Sequence, residues 1–124
     1  MKTASDVMTK HVVDIDPDAT VAEAIEKMRQ WNVSSLLVQR RGPGDTWGFV
    51  SQTDIVEKVI AEGQEAGQIQ VQDIMTKPVI TVPPSCSLMD CAALMARADI
   101  RRVLVFDGQD IVGIVSSSDI FNVT

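Results

Sequence analysis

Apolar and polar positions along the chain run through the same series twice. Val12-Val13-Asp14-Ile15 and Val79-Ile80-Thr81-Val82 are short extended apolar segments, stopped by Pro17 and by Pro83-Pro84. Thr20 with Glu23, and Ser87 with Asp90, follow at the spacing of a helix N-cap and its third helical residue. The helices they open carry apolar residues at helical spacing: Val21, Ala24, Ile25 and Met28 in the first, Leu88, Cys91, Ala92 and Met95 in the second. A β-hairpin comes next. Leu36–Gln39 and Trp47–Val50 are joined across a Gly-Pro-Gly loop, and Val103–Phe106 and Ile111–Val115 across Asp107-Gly108, a strong hairpin signal. A second helix then starts near Thr53, with Ile55, Val56, Val59 and Ile60 as its apolar face, and again near Ser118, with Ile120-Phe121.

Each half therefore reads β-α-β-β-α. Residues 6–38 align with residues 73–105 at a constant offset of 67, and 9 of the 33 pairs are identical. After the hairpin the offset is 65, because the loop Arg40–Asp45 is two residues longer than the turn at Asp107-Gly108, and a surface turn is where an insertion costs least. The boundaries are 6–61 for the first repeat, 62–72 for a linker with the polar run Glu62–Gln68, and 73–124 for the second repeat. A unit of this size buries too little surface to be stable alone, so the two halves are expected to share a core.

Polar residues recur as well. Asp6-Val7-Met8-Thr9-Lys10 returns as Asp73-Ile74-Met75-Thr76-Lys77, and Gly48-Phe49-Val50-Ser51-Gln52-Thr53-Asp54 as Gly113-Ile114-Val115-Ser116-Ser117-Ser118-Asp119. A Ser/Thr/Asp set at the same place in each half indicates two copies of one site, related by an internal pseudo-twofold axis.

Composition narrows the classes of function. A net charge of −6, with the cationic pairs Arg40/Arg41 and Arg101/Arg102 in an acidic background, argues against nucleic acid as a partner. The absence of tyrosine removes most stacking platforms. No apolar run approaches the roughly 18 residues of a membrane helix, and the first residues lack the apolar core of a signal peptide, so no membrane and a cytoplasmic location are expected. Cys86 and Cys91 replace Ala19 and Ala24 of the first repeat and read as small core or boundary residues, poorly placed to bridge each other. His11 is the only histidine, and a metal site on it would need several borrowed ligands; none is expected.

Ser51, Thr53 and Asp54, with Ser116, Ser118 and Asp119, lie where a strand passes into a helix. One reading is capping, since Ser, Thr and Asp satisfy free N–H groups at a helix start. Capping by itself accounts for one such group per repeat and leaves the second hydroxyl without a role. The other reading starts from the same N–H groups, which with the helix dipole favour a phosphate, beside a carboxylate able to accept from the vicinal hydroxyls of a ribose. Residue chemistry leaves both open.

The doubled order of a Met-Thr opening, a short strand, a capped helix, a hairpin and Gly-x-x-Ser-x-Ser/Thr-Asp resembles a tandem pair of CBS domains, the Bateman module, over about residues 6 to 124. The resemblance implies an α/β (α+β) fold of two β-α-β-β-α repeats packed with pseudo-twofold symmetry. It implies an adenosine-containing ligand, AMP, ADP, ATP, NAD or S-adenosylmethionine, in clefts between the repeats. Asp54 and Asp119 are then expected on ribose hydroxyls, with Ser51, Thr53, Ser116 and Ser118 on ribose or phosphate. In this family the adenine lies against the opening strand of the opposite repeat. That gives Ile80, Ile100 and Arg101 to the Asp54 cleft, and Val13, Val33 and Ser34 to the Asp119 cleft. Arg101 and Arg102 could neutralise a phosphate where Ser34 and Ser35 are their counterparts, so tighter phosphate binding is expected at Asp54. Their alternative reading is a solvated pair at a strand start.

Three classes of function remain. The first is a non-catalytic sensor that relays ligand occupancy to a regulated protein or to its own assembly. The second is a ligand-free assembly module, for which the helix bearing Ile55, Val56, Val59 and Ile60 is a candidate surface, a face that could equally be internal core; a homodimer of open geometry is expected. The third is an enzyme, for which the sequence offers no Ser-His-Asp set, no metal-ligand cluster and no phosphate loop of the GxxxxGK[ST] type; none is expected.

Overall fold

A computed structural model describes all residues, 1–124. In chain order the elements are α1 (Ala4–Val7), β1 (Asp14–Ile15), α2 (Val21–Trp31), β2 (Ser35–Val38), β3 (Gly48–Ser51), α3 (Gln52–Ile55, continued as a π-helical stretch Val56–Ile60), β4 (Thr81–Val82), α4 (Leu88–Ala98), β5 (Arg102–Phe106), β6 (Ile111–Ser116) and α5 (Ser117–Asn122). The chain divides into two compact units, residues 13–79 and residues 1–12 with 80–124. Each contains a three-stranded sheet with the same topology.

In the unit 13–79, β1 pairs parallel with β2, Asp14 opposite Leu37, and β2 pairs antiparallel with β3, Ser35 opposite Ser51. The parallel pairing requires a crossover, which α2 supplies. Thr20 caps α2 by accepting from the Glu23 amide at 3.1 Å, and Asn32 ends it in the left-handed region at φ 53°. Val21, Ala24 and Met28 are buried and Ile25 packs beside them, as the spacing predicts. The expected face of α3 splits in two. Ile55 and Val59 enter the core, whereas Val56 and Ile60 are 53% and 60% exposed.

The polar linker does not simply leave this unit. The amide of Val21 donates to Ile69 O at 2.8 Å and that of Val71 to Ala19 O at 2.8 Å, and Val71 and Ile74 are buried in the same core. Asp73 caps a single 3-10 turn by accepting from the Gln70 amide at 3.2 Å. The Met75-Thr76 step then runs along the free edge of β3, where Phe49 and Thr76 exchange bonds of 2.9 and 2.8 Å. Met75 fills the space over Gly48: a Cβ there would lie 2.7 Å from its Sδ.

The other unit repeats this with the N-terminal segment. β4 pairs parallel with β5, Thr81 opposite Leu104, and β5 antiparallel with β6, Arg102 opposite Ser116. Ser87 caps α4 by accepting from the Asp90 amide at 3.1 Å. Asp107 Oδ1 accepts from the amides of Gln109 and Asp110 at 2.8 and 2.9 Å, closing the hairpin at Gly108, whose φ is 107°. Asp6 accepts from the Thr3 amide at 2.7 Å, and Thr9 exchanges bonds with Ile114 on the edge of β6 at 2.9 and 3.1 Å. Met8 fills the space over Gly113, where a Cβ would approach its Sδ to 2.5 Å and its Cβ to 3.0 Å.

Each Met-Thr motif thus docks on the sheet of the other repeat. The expectation of one shared core is corrected accordingly. Two clusters form, one around Leu36, Val38, Val50, Val59 and Val71, the other around Val82, Cys91, Val103, Val105 and Val115. The exchanged segments enlarge each unit, which is how each closes a core of its own.

Candidate functional site

The two strand-to-helix junctions are built alike, starting from the capping residue. Ser51 is the N-cap of α3, two positions before the helix start read from the sequence. Its amide and hydroxyl both donate to Asp54 Oδ2, at 2.9 and 3.0 Å, and its Oγ accepts from the Asp54 amide at 3.2 Å. Ser116 caps α5 in the same way: its amide donates to Asp119 Oδ2 at 2.8 Å and its Oγ accepts from the Asp119 amide at 3.2 Å. These are reciprocal capping boxes, so one motif accounts for both the serine and the aspartate of each junction. The reading that capping explains only one of them is corrected. What the cap leaves unused is the hydroxyl of Thr53 and of Ser118, both exposed.

Every cap bond to a carboxylate falls on Oδ2, leaving Oδ1 of each to other partners. Asp54, whose side chain is only 18% exposed, has Lys58 Nζ 3.3 Å from Oδ1, and the same ammonium donates to Ile74 O at 2.9 Å. Val123 occupies the place of Lys58 beside Asp119. The two junctions therefore differ in charge.

Around Asp54 the unit 13–79 brings Ser34, whose carbonyl accepts from the Gln52 amide at 3.0 Å. Val13, buried, accepts from Leu37 N at 2.9 Å, and Val33 packs on the core after its amide closes α2 onto Met28 O at 3.0 Å. Around Asp119 the other unit brings Arg101, whose carbonyl accepts from the Ser117 amide at 2.9 Å, and Arg102, opposite Ser116. Ile80 accepts from Leu104 N at 3.0 Å, and Ile100 closes α4 onto Met95 O at 3.0 Å. Each carboxylate thus shares a unit with the strand-start residues that the crossed assignment gives to the other carboxylate.

Two surface grooves are lined by neither capping box. One of about 500 Å³ surrounds Lys58, Glu62 and Asp73, and one of about 340 Å³ lies between Pro83-Pro84 and Phe106–Gly108. Neither contains a site residue read from the sequence, and no group of His, Cys, Asp or Glu is arranged to hold a metal. No helix is long and apolar enough to cross a membrane.

The family model for the CBS domain matches the chain twice, over residues 4–61 and 71–123. The chain belongs to the CBS-domain family. It is a tandem CBS pair of mixed α and β structure, and proteins built on such pairs are in general regulatory and bind adenosine-containing ligands. Among its relatives is the CBS domain-containing protein YhcV of Bacillus subtilis, 33% identical over 97% of this chain and 84% of that protein. An inosine-5'-monophosphate dehydrogenase of Korarchaeum cryptofilum is 30% identical over 98% of this chain, but the match spans only 24% of that enzyme. Among solved structures, the hexameric CBS-CP12 protein from bloom-forming cyanobacteria superposes with a TM-score of 0.92 at 39% identity, covering 98% of this chain and 70% of that one. The matched region of the tandem CBS pair contains both capping boxes and both docked Met-Thr motifs.

Proposed function

We propose that this tandem CBS pair is a non-catalytic sensor, in which Asp54 and Asp119 accept hydrogen bonds from the ribose hydroxyls of an adenosine-containing ligand. The observation that carries the reading is the division of labour on each carboxylate. The cap occupies Oδ2 and does not use Oδ1, which at Asp54 is paired with Lys58, and it leaves unused a hydroxyl one residue before each carboxylate, at Thr53 and at Ser118. A vicinal diol donating to Oδ1 leaves the cap intact. Arg101 and Arg102 supply the phosphate charge, and the remaining candidates, Val13, Val33, Ser34, Ile80 and Ile100, give apolar and backbone contacts to the adenosine. Because the cations are unequally distributed between the repeats, the two carboxylates bind with unequal affinity. A ligand that binds two arrangements of the chain unequally shifts their populations, and occupancy is passed on in that way.

Calorimetric titration with AMP, ADP, ATP, NAD and S-adenosylmethionine tests this. Binding of at least one, at two unequal sites or one, each lost in Asp54→Ala or Asp119→Ala, is the expected result. Equal affinity at both sites removes the asymmetry, and no binding of any ligand removes the sensor.

The second reading, an assembly module, is favoured by Val56 and Phe121. They are equivalent in the repeats and 53% and 79% exposed, and the CBS-CP12 relative is a hexamer. A homodimer through these helices is compatible with either reading. Light scattering of Val56→Asp and Phe121→Asp against the unaltered chain decides whether the faces assemble.

A further inference from the structure

Cys86 precedes the N-cap of α4 and Cys91 is the fourth residue of that helix, the arrangement of a hydrophobic staple. A staple needs only apolar contact. The first repeat has Ala19 and Ala24 at these positions, both against its core. In the second repeat the same geometry brings two free thiols together, Cys91 donating to Cys86 Sγ at 3.5 Å. The sequence reading, that they are poorly placed to bridge, is corrected by this distance: an extended turn before the helix swings Cys86 back over Cys91.

The two sulfurs differ in access. Cys91 is buried in the core, whereas Cys86 is partly exposed. Burial, reinforced by the hydrogen bond to Cys86, pushes the Cys91 thiol up to about 12. Cys91 therefore remains protonated at neutral pH, and a first attack falls to Cys86.

We propose that Cys86 and Cys91 are an oxidisable dithiol that a peroxide converts to an intrachain disulfide, Cys86 attacking and Cys91 resolving. The Cys86 thiolate displaces hydroxide from hydrogen peroxide, forming an S–O bond as the O–O bond breaks, and becomes a sulfenic acid. Cys91 then attacks that sulfur as its proton passes to the sulfenic oxygen. The S–O bond breaks, and water leaves with the Cys91 proton. With the hydroxide protonated by solvent, the two thiols have lost two protons and two electrons, and the peroxide has become two waters.

Bond formation draws the sulfurs from 3.5 Å to about 2 Å. Cys91 is fixed in α4, so the approach falls on the turn before it. That turn holds the N-terminal segment: Cys86 O accepts from the Ala4 amide at 2.8 Å and Pro84 O from the Ser5 amide at 3.0 Å. Oxidation loosens this segment, whose Thr9 is paired with Ile114 on the strand that leads to Ser116.

The test is peroxide treatment of the reduced full chain, read by intact mass under denaturing conditions and by thiol titration. The chain is expected to lose two hydrogens and both titratable thiols without joining a second chain, and reductant restores it. Cys91→Ala should stop at a dimedone-reactive Cys86, and Cys86→Ala should keep its Cys91 thiol at the same dose. Both variants carry the alanine that the first repeat uses, and melting of the reduced proteins checks that they fold. Added oxygen on Cys86 with no loss of two hydrogens in the unaltered chain overturns the proposal without reference to any variant. Equal loss of the Cys91 thiol in Cys86→Ala overturns the assignment of roles. Hydrogen exchange at Ala4 and Ser5 should quicken on oxidation, and unchanged protection there overturns the link to the segment.

Discussion

Replacing Gly113 by alanine tests the docking of the N-terminal segment directly. The added Cβ would lie 2.5 Å from Met8 Sδ, 2.8 Å from its Cγ and 3.0 Å from its Cβ. Ordinary contacts between such atoms are about 3.5–4.0 Å, so the deficit is roughly 1 Å at the sulfur. A rotamer change can remove Sδ, but only movement of the Thr9-paired backbone can remove Met8 Cβ. Overpacking of this kind costs about 1–3 kcal/mol, from which the gain of alanine over glycine in a strand, roughly 0.5–1 kcal/mol, is subtracted. Gly48→Ala should be milder. There the close atom is Met75 Sδ at 2.7 Å, and the next, Thr76 O and Val38 Cβ, are at 3.3 Å.

Equilibrium unfolding in urea gives the measure. We expect Gly113→Ala to lose about 1–2 kcal/mol, equivalent to roughly 4–8 °C in Tm for a chain of this size, and Gly48→Ala about half as much. The cause is isolated by a cycle with Met8→Ala, which removes the offending atoms. If the clash is the mechanism, the double variant is more stable than the sum of the single losses by about 1 kcal/mol, well beyond the roughly 0.3–0.5 kcal/mol scatter of independent sites. Additive losses, or a Gly113→Ala protein as stable as the parent, would refute the reasoning.

Asp54→Ala should weaken binding of the adenosine ligand at least about tenfold, since one charge-assisted hydrogen bond is worth roughly 1.5–3 kcal/mol; calorimetry that finds unchanged affinity would assign Asp54 to capping alone. Thr53→Ala leaves the cap bonds untouched, so it should lower affinity while leaving Tm within error, whereas Thr20→Ala, which deletes a cap on α2, should lower stability by about 1 kcal/mol and leave affinity alone. Lys58→Met frees Asp54 Oδ1 of an ion pair whose lysine is half-exposed, worth about 0–1 kcal/mol, so the affinity of that site should rise by up to about fivefold, with the Asp119 site unchanged. Asp45 is held at about 2, below its ordinary 3.8, by the Lys77 side chain and then by the amides of Arg41 and Thr46. With the folded value depressed, its contribution is present above about pH 4 and is lost as pH falls towards 2; Asp45→Asn should flatten the acid limb of a stability profile in that window.

The elements and their order were legible because their signals are local. Caps at Thr20 and Ser87, the stripe Val21, Ala24, Met28, and the Asp107-Gly108 turn each act within a few residues of themselves. The repeat supplied the rest, since two copies of a weak pattern in one order are more specific than either. What the pattern could not reveal depends on contacts far apart in the chain. Gly48 and Gly113 look like ordinary strand glycines until Met75 and Met8 are placed over them. Ile55 and Val56 are equally apolar, and only the placement of the sheet decides that one is buried and the other half exposed. The exchange of Met-Thr segments left no mark on the alignment, because a segment docked on the other sheet aligns as well as one docked on its own.

The two Ser-x-Ser/Thr-Asp junctions stood out in the sequence, but the sharing of bonds within each of them did not. Sequence reasoning set capping against ligand binding as rivals for the same Ser and Asp, whereas the cap uses only Oδ2, and the proposed function gives Oδ1 of the same carboxylate to a ligand. That arrangement ties the two roles together. A ligand that pulled on Oδ2 would uncap α3 and lose about 1 kcal/mol of its own binding free energy, so productive ligands are those that reach Oδ1 and leave Oδ2 with Ser51. At Asp54 such a ligand must also displace Lys58, whose ammonium is bonded to Ile74 O on the segment that docks along β3. Under the proposed function, occupancy there and the hold on that segment would be linked through one side chain. Asp119, with Val123 in the place of Lys58, lacks the link, so under the proposed function the Asp54 junction is the one that would report a bound ligand to the docked segment.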